Sequence, residues 1–567
     1  MDNQRNLILA ITLSVLVFLG WNFLSSRFFP VAAPPATKIE NGKQVPLPSP
    51  DTPKAAVARD RAAVLGETKR VPIATPRVSG SINLTGARLD DLVLLDHRQT
   101  VARNSPPVRL LSPGGAPEAY FAQFGWAGSG VALPGPDTVW TVEGARLTPG
   151  TPVTLRWDNK RGQRFAIRVA VDRNYMFTVR QSVANASVTP VTVRPYGLVS
   201  RVGVSKDPSS WTMHTGPIGA FDGSTDYSVG FGDLDKAGPA GKRYHTTGGW
   251  IGFGDKYWQT ALVPPQAEPA DAGFRAGEAG VYQADLAGAP ATIAADATAA
   301  AEQRFFAGAK EVAVLDGYER AGVARFDRAI DWGWFVWFEK PIFYLLDWLF
   351  SHIGNFGVAI ILLTCIVRAL LFPVAQRQFA SMASMRKVQP KMKTLQERYK
   401  EDKPKLQEEM MKLYREEKVN PLAGCLPILI QMPIFIALYK VLMLSIEMRH
   451  KPFVLWIRDL SAPDPLTPVN LFGLLPFTPP SMLHLGVLAI LLGVTMWLQF
   501  RMNPAQMDPT QQQVMQFMPW LMMLFFAPLA AGLQLYYVAN NLLSLAQQQF
   551  LYARTPGLKE TVATAKQ

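Results

Sequence analysis

The sequence predicts a hybrid fold: an α-helical membrane protein of six transmembrane helices that carries an all-β sandwich domain. Three observations predict it. Apolar runs near the roughly 20 residues a bilayer core requires lie at the start of the chain and recur through its last third. The long stretch after the first run is built instead of short alternating segments cut by Gly, Pro and Asp/Asn turns, the pattern of half-buried strands. The third is the overall balance. With 48% hydrophobic residues and a mean hydropathy of +0.07, the 567 residues are too polar to be all membrane and too apolar in places to be all soluble.

Arg5 followed by an apolar run over 7–24 reads as a retained anchor (1–29) rather than a cleaved signal, because Pro34 is a poor residue to follow a cleavage point. Residues 30–77, rich in Pro, Ala, Lys and Thr, are expected to form a flexible tether. Residues 78–325 form the sandwich, with strands expected at 81–85, 153–157, 165–171 and 176–182. The alanine-rich stretch 295–309 is either helical or a loop between strands. Residues 326–351 are expected to form an interfacial amphipathic helix. Trp332, Trp334, Trp337 and Trp348 suit the headgroup belt, with Pro341 marking a break before the chain re-enters the core.

The next span, 352–375, contains Arg368, with Thr364 one turn before it. A guanidinium in hydrocarbon costs about 2.5–3.5 kcal/mol on insertion scales. Arg368 therefore either snorkels to nearby headgroups or faces water, a partner or a substrate path. Residues 376–421 read as a polar two-helix hairpin broken near Pro404, strongly basic where the loop 447–481 carries only Arg449, Lys451 and Arg458. The excess of Lys and Arg places the hairpin in the cytoplasm and orients the rest, with both termini cytoplasmic and the β-domain on the far side. Met382, Met385 and Met392 line the first hairpin helix, with Arg386 and Lys387, and Met410 and Met411 line the second. They form either an adaptable surface for apolar ligands or the hairpin's own core.

Gln431 lies between Pro427 and Pro433 in the span 422–446, and a further span covers 482–500. After the loop 501–513, the apolar stretch 514–551 is about twice what one crossing needs, so it reads as two spans, 514–527 and 533–552, joined by a turn at 528–532. In the second, Gln534, Tyr537, Asn541, Ser544 and Gln548 recur at helical spacing, a polar stripe that must face other helices or water. Residues 553–567 form a short basic tail.

Enzymatic signatures are sparse. The two cysteines lie in or beside apolar runs, the six histidines show no paired ligand spacing, there is no Gly-x-Ser-x-Gly elbow, and residues 238–243 are only a fragment of a phosphate loop. Neither metal nor cofactor is expected.

Val-Arg-Ala-Leu-Leu-Phe-Pro-Val at 367–374, Ser-Met-Ala-Ser-Met-Arg-Lys-Val-Gln-Pro-Lys at 381–391, Glu-Lys-Val-Asn-Pro-Leu-Ala-Gly-Cys at 417–425, Leu-Ile-Gln-Met-Pro-Ile-Phe at 429–435, Leu-Trp-Ile-Arg-Asp-Leu-Ser at 455–461 and Leu-Tyr-Tyr-Val-Ala-Asn-Asn at 535–541 together resemble the YidC/Oxa/Alb family of membrane protein insertases. Upstream, 250–258 and 304–310 are more loosely similar to the periplasmic domain of its Gram-negative members. The pair Asn540–Asn541 departs from the family pattern. The resemblance implies a five-helix core around a hydrophilic groove open to the cytoplasm and to lipid, with Arg368, Thr364, Gln431 and Tyr537 contributing to it. It also implies insertion and chaperoning of nascent membrane proteins in the bacterial inner membrane without bond chemistry. The implied partners are the ribosome, the Sec translocon, the signal recognition particle receptor and the lipid bilayer. Two other classes remain to be weighed. A secondary transporter should show two similar halves and a coupling carboxylate, neither of which is found. A periplasmic scaffold would not explain the basic, methionine-rich hairpin.

Overall fold

Along Gln163–Val171 every second residue is buried, and along Met176–Asn185 nearly so, as period-two sequences dictate when one face of a strand meets a core. These strands pair antiparallel from Gln163↔Asn185 to Val171↔Phe177. The computed structural model describes residues 37–40, 43–46, 58–207, 209, 213–376, 388, 391–392, 394–399, 402–417, 426–472, 474–475, 485–502 and 509–554. It divides into two compact units, Met1–Asp331 and Trp332–Gln567.

The first unit is a β-sandwich of one nine-stranded and one ten-stranded sheet with antiparallel ladders. Aromatic side chains close the space between them. Phe124 of one sheet meets Phe305 of the other edge to face at 6.2 Å, and Trp126 meets Phe165 at 5.1 Å. The buried Tyr120 and Thr260 hydroxyls, one from each sheet, hydrogen-bond to each other at 2.6 Å, so these two polar tips are paired. Two short helices, α1 (Arg61–Gly66) and α2 (Phe231–Ala237), and a third, α3 (Val312–Arg320), flank the sheets.

Several expectations need correction. The tether ends before Arg77: Thr37–Glu40 pairs with Lys43–Pro46, and Arg70–Ala74 is already a sheet strand paired with Val78–Asn83. The stretch 295–309 is neither helix nor loop. Ala297–Ala309 is a 13-residue strand, paired with Met176–Asn185 on one side and, from Arg304 onward, with Trp258–Val263 on the other. Two ladders outweigh the few tenths of a kcal/mol per residue by which alanine favours helix. Phe326 does not start an interfacial helix; it is buried in the sandwich against Trp250, Phe306 and Tyr318.

In the second unit, helix α4 (Val336–Ile353) runs through Pro341 rather than breaking there. The break comes at Gly354, whose φ of 75° suits a residue without a side chain, and Asn355 caps the next helix, α5 (Phe356–Leu370), by accepting from Val358 N at 3.1 Å. Trp332 is buried against Phe343 instead of lying in a headgroup belt, whereas Trp337 and Trp348 are exposed; the side chain of Trp334 is outside the described residues. Then come α6 (Lys403–Glu416), α7 (Leu426–Leu444), α8 (Val487–Met502), α9 (Pro509–Phe526) and α10 (Ala531–Arg554). Among the described residues no helix is long and apolar enough to cross a membrane.

α10 packs on α5, α7 and α8, and α4 packs on α5 and α7. The loop before α8 is held by the buried Asp464, which accepts from Trp456 Nε1 at 2.9 Å, Leu466 N at 3.0 Å and Leu488 N at 2.9 Å. At Gly357 the ring of Phe453 occupies the place of a Cβ, so the same loop packs directly on the α5 backbone.

Glu311 joins the two sheets of the sandwich. Its Oε1 accepts from Tyr175 at 2.9 Å, meets His97 Nε2 at 3.2 Å and pairs with Arg77. Burial alone would raise this carboxyl, but the hydrogen bonds from His97, Arg77 and Tyr175 and the charge of Arg77 outweigh it and hold it at about 2. A carboxyl depressed on folding contributes stability above its ordinary value of 4.5 that is lost as the pH falls toward about 2. Glu311→Gln is therefore expected to cost the sandwich about 2–3 kcal/mol at neutral pH and to flatten its stability profile between pH 4.5 and 2, read as protease resistance of the first unit. An unchanged profile would remove Glu311 from this role.

Candidate functional site

Arg368 sits in the last turn of α5, where a cation complements the helix dipole, and it is half-buried. α10 provides its partners. Nε donates to Asn540 Oδ1 at 2.9 Å, and Nη2 donates to Ser544 Oγ at 2.5 Å and to Asn540 O at 3.4 Å. The Ser544 hydroxyl in turn donates to Asn540 O at 2.7 Å, so its one proton is used while one lone pair accepts from the guanidinium. The guanidinium is thus gripped along its Nε–Nη2 edge by neutral oxygens. Among the described residues it makes no ion pair, and Nη1 makes no hydrogen bond. Its remaining edge keeps the geometry that a carboxylate takes bidentately.

The other expected residues divide. Thr364 is buried on α5, but its hydroxyl donates back to Ile360 O at 2.7 Å and is spent within its own helix. Tyr537 is half-buried among aromatic rings, Phe526 at 4.5 Å, Tyr536 at 5.3 Å and Phe435 of α7 at 5.4 Å. Gln431 is on α7, with its side chain outside the described residues.

The polar stripe of α10 is a set of separate attachments. Gln534 Nε2 donates to Phe526 O at 3.0 Å, Ala527 O at 3.2 Å and Leu529 O at 2.9 Å, tying off the carbonyl end of α9. Asn541 Nδ2 donates to Thr495 Oγ1 of α8 at 3.2 Å. The adjacent asparagines therefore serve opposite neighbours, Asn540 the arginine of α5 and Asn541 the threonine of α8. Sequence reasoning noticed the pair without assigning it, and it missed Thr495. The available signal was the spacing of Asn540 and Ser544, one turn apart on one helix face.

Met382, Met385, Arg386 and Lys387 of the hairpin lie outside the described residues. Of the described methionines, Met392 packs with Leu395 against the buried Val388 and Leu413 and lies 3.8 Å from the Tyr414 hydroxyl, so it belongs to the hairpin's own core. Met410 is half-buried and Met411 is exposed. α6 starts at Asp402, which caps Lys405 N at 3.1 Å, and Lys391 pairs with Glu417 across the hairpin.

The chain thus combines an antiparallel β-sandwich with a unit of packed helices in which a guanidinium is gripped by neutral oxygens. Residues 70–345 match the family model described as YidC periplasmic domain, and residues 348–558 match the one described as 60Kd inner membrane protein. The membrane protein insertase YidC of Zymomonas mobilis subsp. mobilis is 52% identical over 570 residues, covering 99% of this chain and 98% of that protein. The one from Rhizobium meliloti is 45% identical over 576 residues, covering 98% and 96%. Among solved structures, an active YidC insertase with its first transmembrane domain resolved is 19% identical over 94% of this chain and 98% of that chain, with a TM-score of 0.36. The chain belongs to the YidC membrane protein insertase family.

If Asn540 orients Arg368, a double-mutant cycle between Arg368→Met and Asn540→Ala should give a coupling of about 1.5–3 kcal/mol, the range of a hydrogen bond to a charged group. A cycle between Arg368→Met and Asn541→Ala should be additive within about 0.5 kcal/mol, since these residues share no partner. Unfolding of the detergent-solubilised protein measures both. Equal coupling in the two cycles would contradict the division of labour along α10.

Proposed function

We propose that the chain is a membrane protein insertase that receives clients at a wet, positively charged groove centred on Arg368. The observation that carries this reading is a guanidinium held by Asn540 and Ser544 with no carboxylate partner among the described residues, which leaves its charge for an incoming acidic or polar segment. The similarity to membrane protein insertases over nearly the whole chain supports it. The client's apolar helix then leaves into lipid, driven by burial of apolar surface. No bond is made or broken in this scheme.

We place six spans across the bilayer, with both termini and the hairpin in the cytoplasm and the sandwich in the periplasm. Support comes from the apolar runs of the sequence, which extend past the described side chains, and from the Lys and Arg excess over 376–421. Gln431 and Tyr537 are proposed to line the groove, and Thr364 to pack its wall. The hairpin surface, with Met382, Met385, Arg386, Lys387 and Met411, is proposed to meet clients and the ribosome, beside the Sec translocon or alone.

The test uses reconstituted vesicles and paired clients that differ only in tail charge. Arg368→Lys should retain most insertion of the acidic-tailed client, because the charge survives although the planar fork is lost. Arg368→Glu should fail for that client while the neutral-tailed one suffers less. Equal defects in a protease-resistant, folded variant would sink the electrostatic mechanism. Ribosome binding should also weaken steeply with salt, as each Lys or Arg contact to phosphate releases counterions; co-sedimentation indifferent to salt would count against the hairpin's role.

A further inference from the structure

The connection between α7 and α8 is built inside out. Its polar side chains are buried: Asp464 is 1% exposed, Thr467 is 0% exposed and Asn470 is buried with them. Its apolar ones face outward, Leu474 at 82% exposure together with Val469, Leu471, Phe472 and Leu475. A turn that meets water has the opposite arrangement, and a run of exposed apolar side chains marks a contact surface. The sequence carries the same signal. No Asp, Glu, Lys or Arg occurs from residue 465 to residue 500, a stretch far longer than the roughly 20 residues one crossing uses.

The backbone of the turn also suits dry surroundings. Leu471 N donates to Pro468 O at 3.0 Å, Phe472 N to Thr467 O at 2.8 Å, Leu474 N to Leu471 O at 3.3 Å and Leu475 N to Asn470 O at 3.1 Å. Val469 N donates to Thr467 Oγ1 at 3.0 Å, and Pro468 has no N–H to satisfy. In water these N–H groups need no partner from the chain, whereas irregular backbone facing hydrocarbon must close its hydrogen bonds upon itself. Leu471 and Phe472 have φ of 49° and 56°, left-handed values that favour glycine. Large apolar side chains are kept where the backbone alone would choose none, a kind of strain that clusters at functional sites. The turn is sewn to the start of α8, because Val487 N donates to Leu466 O at 3.0 Å and Leu488 N to Asp464 Oδ2 at 2.9 Å. That helix carries an outward apolar face of its own, with Leu491, Val494 and Leu498 exposed.

We propose that Leu471, Phe472, Leu474 and Leu475 form a wedge that inserts among the lipid acyl chains of the leaflet away from the hairpin 376–421 and sets the depth at which α8 begins. Lipid fits this surface better than a protein does: a protein interface has a polar rim that fixes its partner's orientation, and the stretch 465–500 offers no charge for one. The wedge rests on the membrane spans proposed above for α7 and α8.

The experiment uses the full-length protein with Cys365→Ala and Cys425→Ala, reconstituted into vesicles of phosphatidylethanolamine and phosphatidylglycerol. Single cysteines, Leu474→Cys, Arg458→Cys at an exposed charged position of the same loop, and Val494→Cys on α8, carry a dye whose emission shifts to the blue in apolar surroundings. At 474 the emission should be blue-shifted, quenched by spin labels on the acyl chains and protected from aqueous iodide. At 458 the order should reverse. With the label moved to Leu475→Cys, the added pair Phe472→Asp and Leu474→Asp should turn lipid quenching into iodide quenching, since charge in hydrocarbon is costly. A label at 474 that iodide quenches, or that neither quencher reaches because it lies against protein, would overturn the wedge. The label at 494 separates the two readings: lipid quenching there with an aqueous 474 rejects the wedge alone, and aqueous labels at both positions reject the spans as well.

Discussion

A guanidinium near the end of an apolar helix must be hydrogen-bonded or hydrated, and much of the helical unit is arranged around that demand. Arg368 is met by Asn540 and Ser544, which fixes which face of α10 turns toward α5. Once that face is set, Asn541 turns toward Thr495 of α8, and Gln534, nearly two turns earlier, reaches the open carbonyls at the end of α9. One helix thereby tethers three others through polar contacts. In the membrane-spanning arrangement proposed above, such contacts would define register better than hydrophobic burial does, since lipid tails are as apolar as leucine.

Gripping the arginine with neutral oxygens rather than a carboxylate has a functional consequence. A buried ion pair would cancel the charge and resist an incoming anion, because removing one partner of such a pair costs several kcal/mol. Amide and hydroxyl oxygens orient the guanidinium but leave its charge in place. Asn540 and Ser544 hold the Nε–Nη2 edge, so the orientation of the remaining edge is set by the protein itself, the pre-organisation that the proposed client site would use. Lysine could keep the charge but could not be held along an edge, which is why charge and orientation are separable by substitution.

How much of this was legible in the sequence follows from how local each signal is. The strands over Gln163–Val171 and Met176–Asn185 were readable because alternation is a property of the strand itself. Arg368 was readable because a charge in an apolar run is conspicuous wherever it points. Ala297–Ala309 was not, because alanine's helical preference is local while the ladders that override it come from residues more than 30 and about 120 positions away. Trp332 and Phe326 were assigned to an interface because aromatics suit one, yet each has a ring partner that only the folded chain supplies. The roles of Asn540 and Asn541 were hidden for the same reason: adjacent residues on a helix point about 100° apart, and only the neighbours say what each direction means.

The methionines show where residue type stops deciding function. Flexible thioethers suit both a shifting client surface and an irregular core. Met392 lies with Val388, Leu395 and Leu413 inside the hairpin, where it contributes to holding the two helices together, while Met411 on α6 turns outward. The interior consumes Met392, so an adaptable surface of the kind proposed above would be built from methionines that face away from Leu413. Charge remains on the outside, where Lys391 and Glu417 pair across an exposed edge, a contact worth at most about 1 kcal/mol. Among the described residues the hairpin is held by this small apolar interior, and its exposed ion pair adds little to that stability.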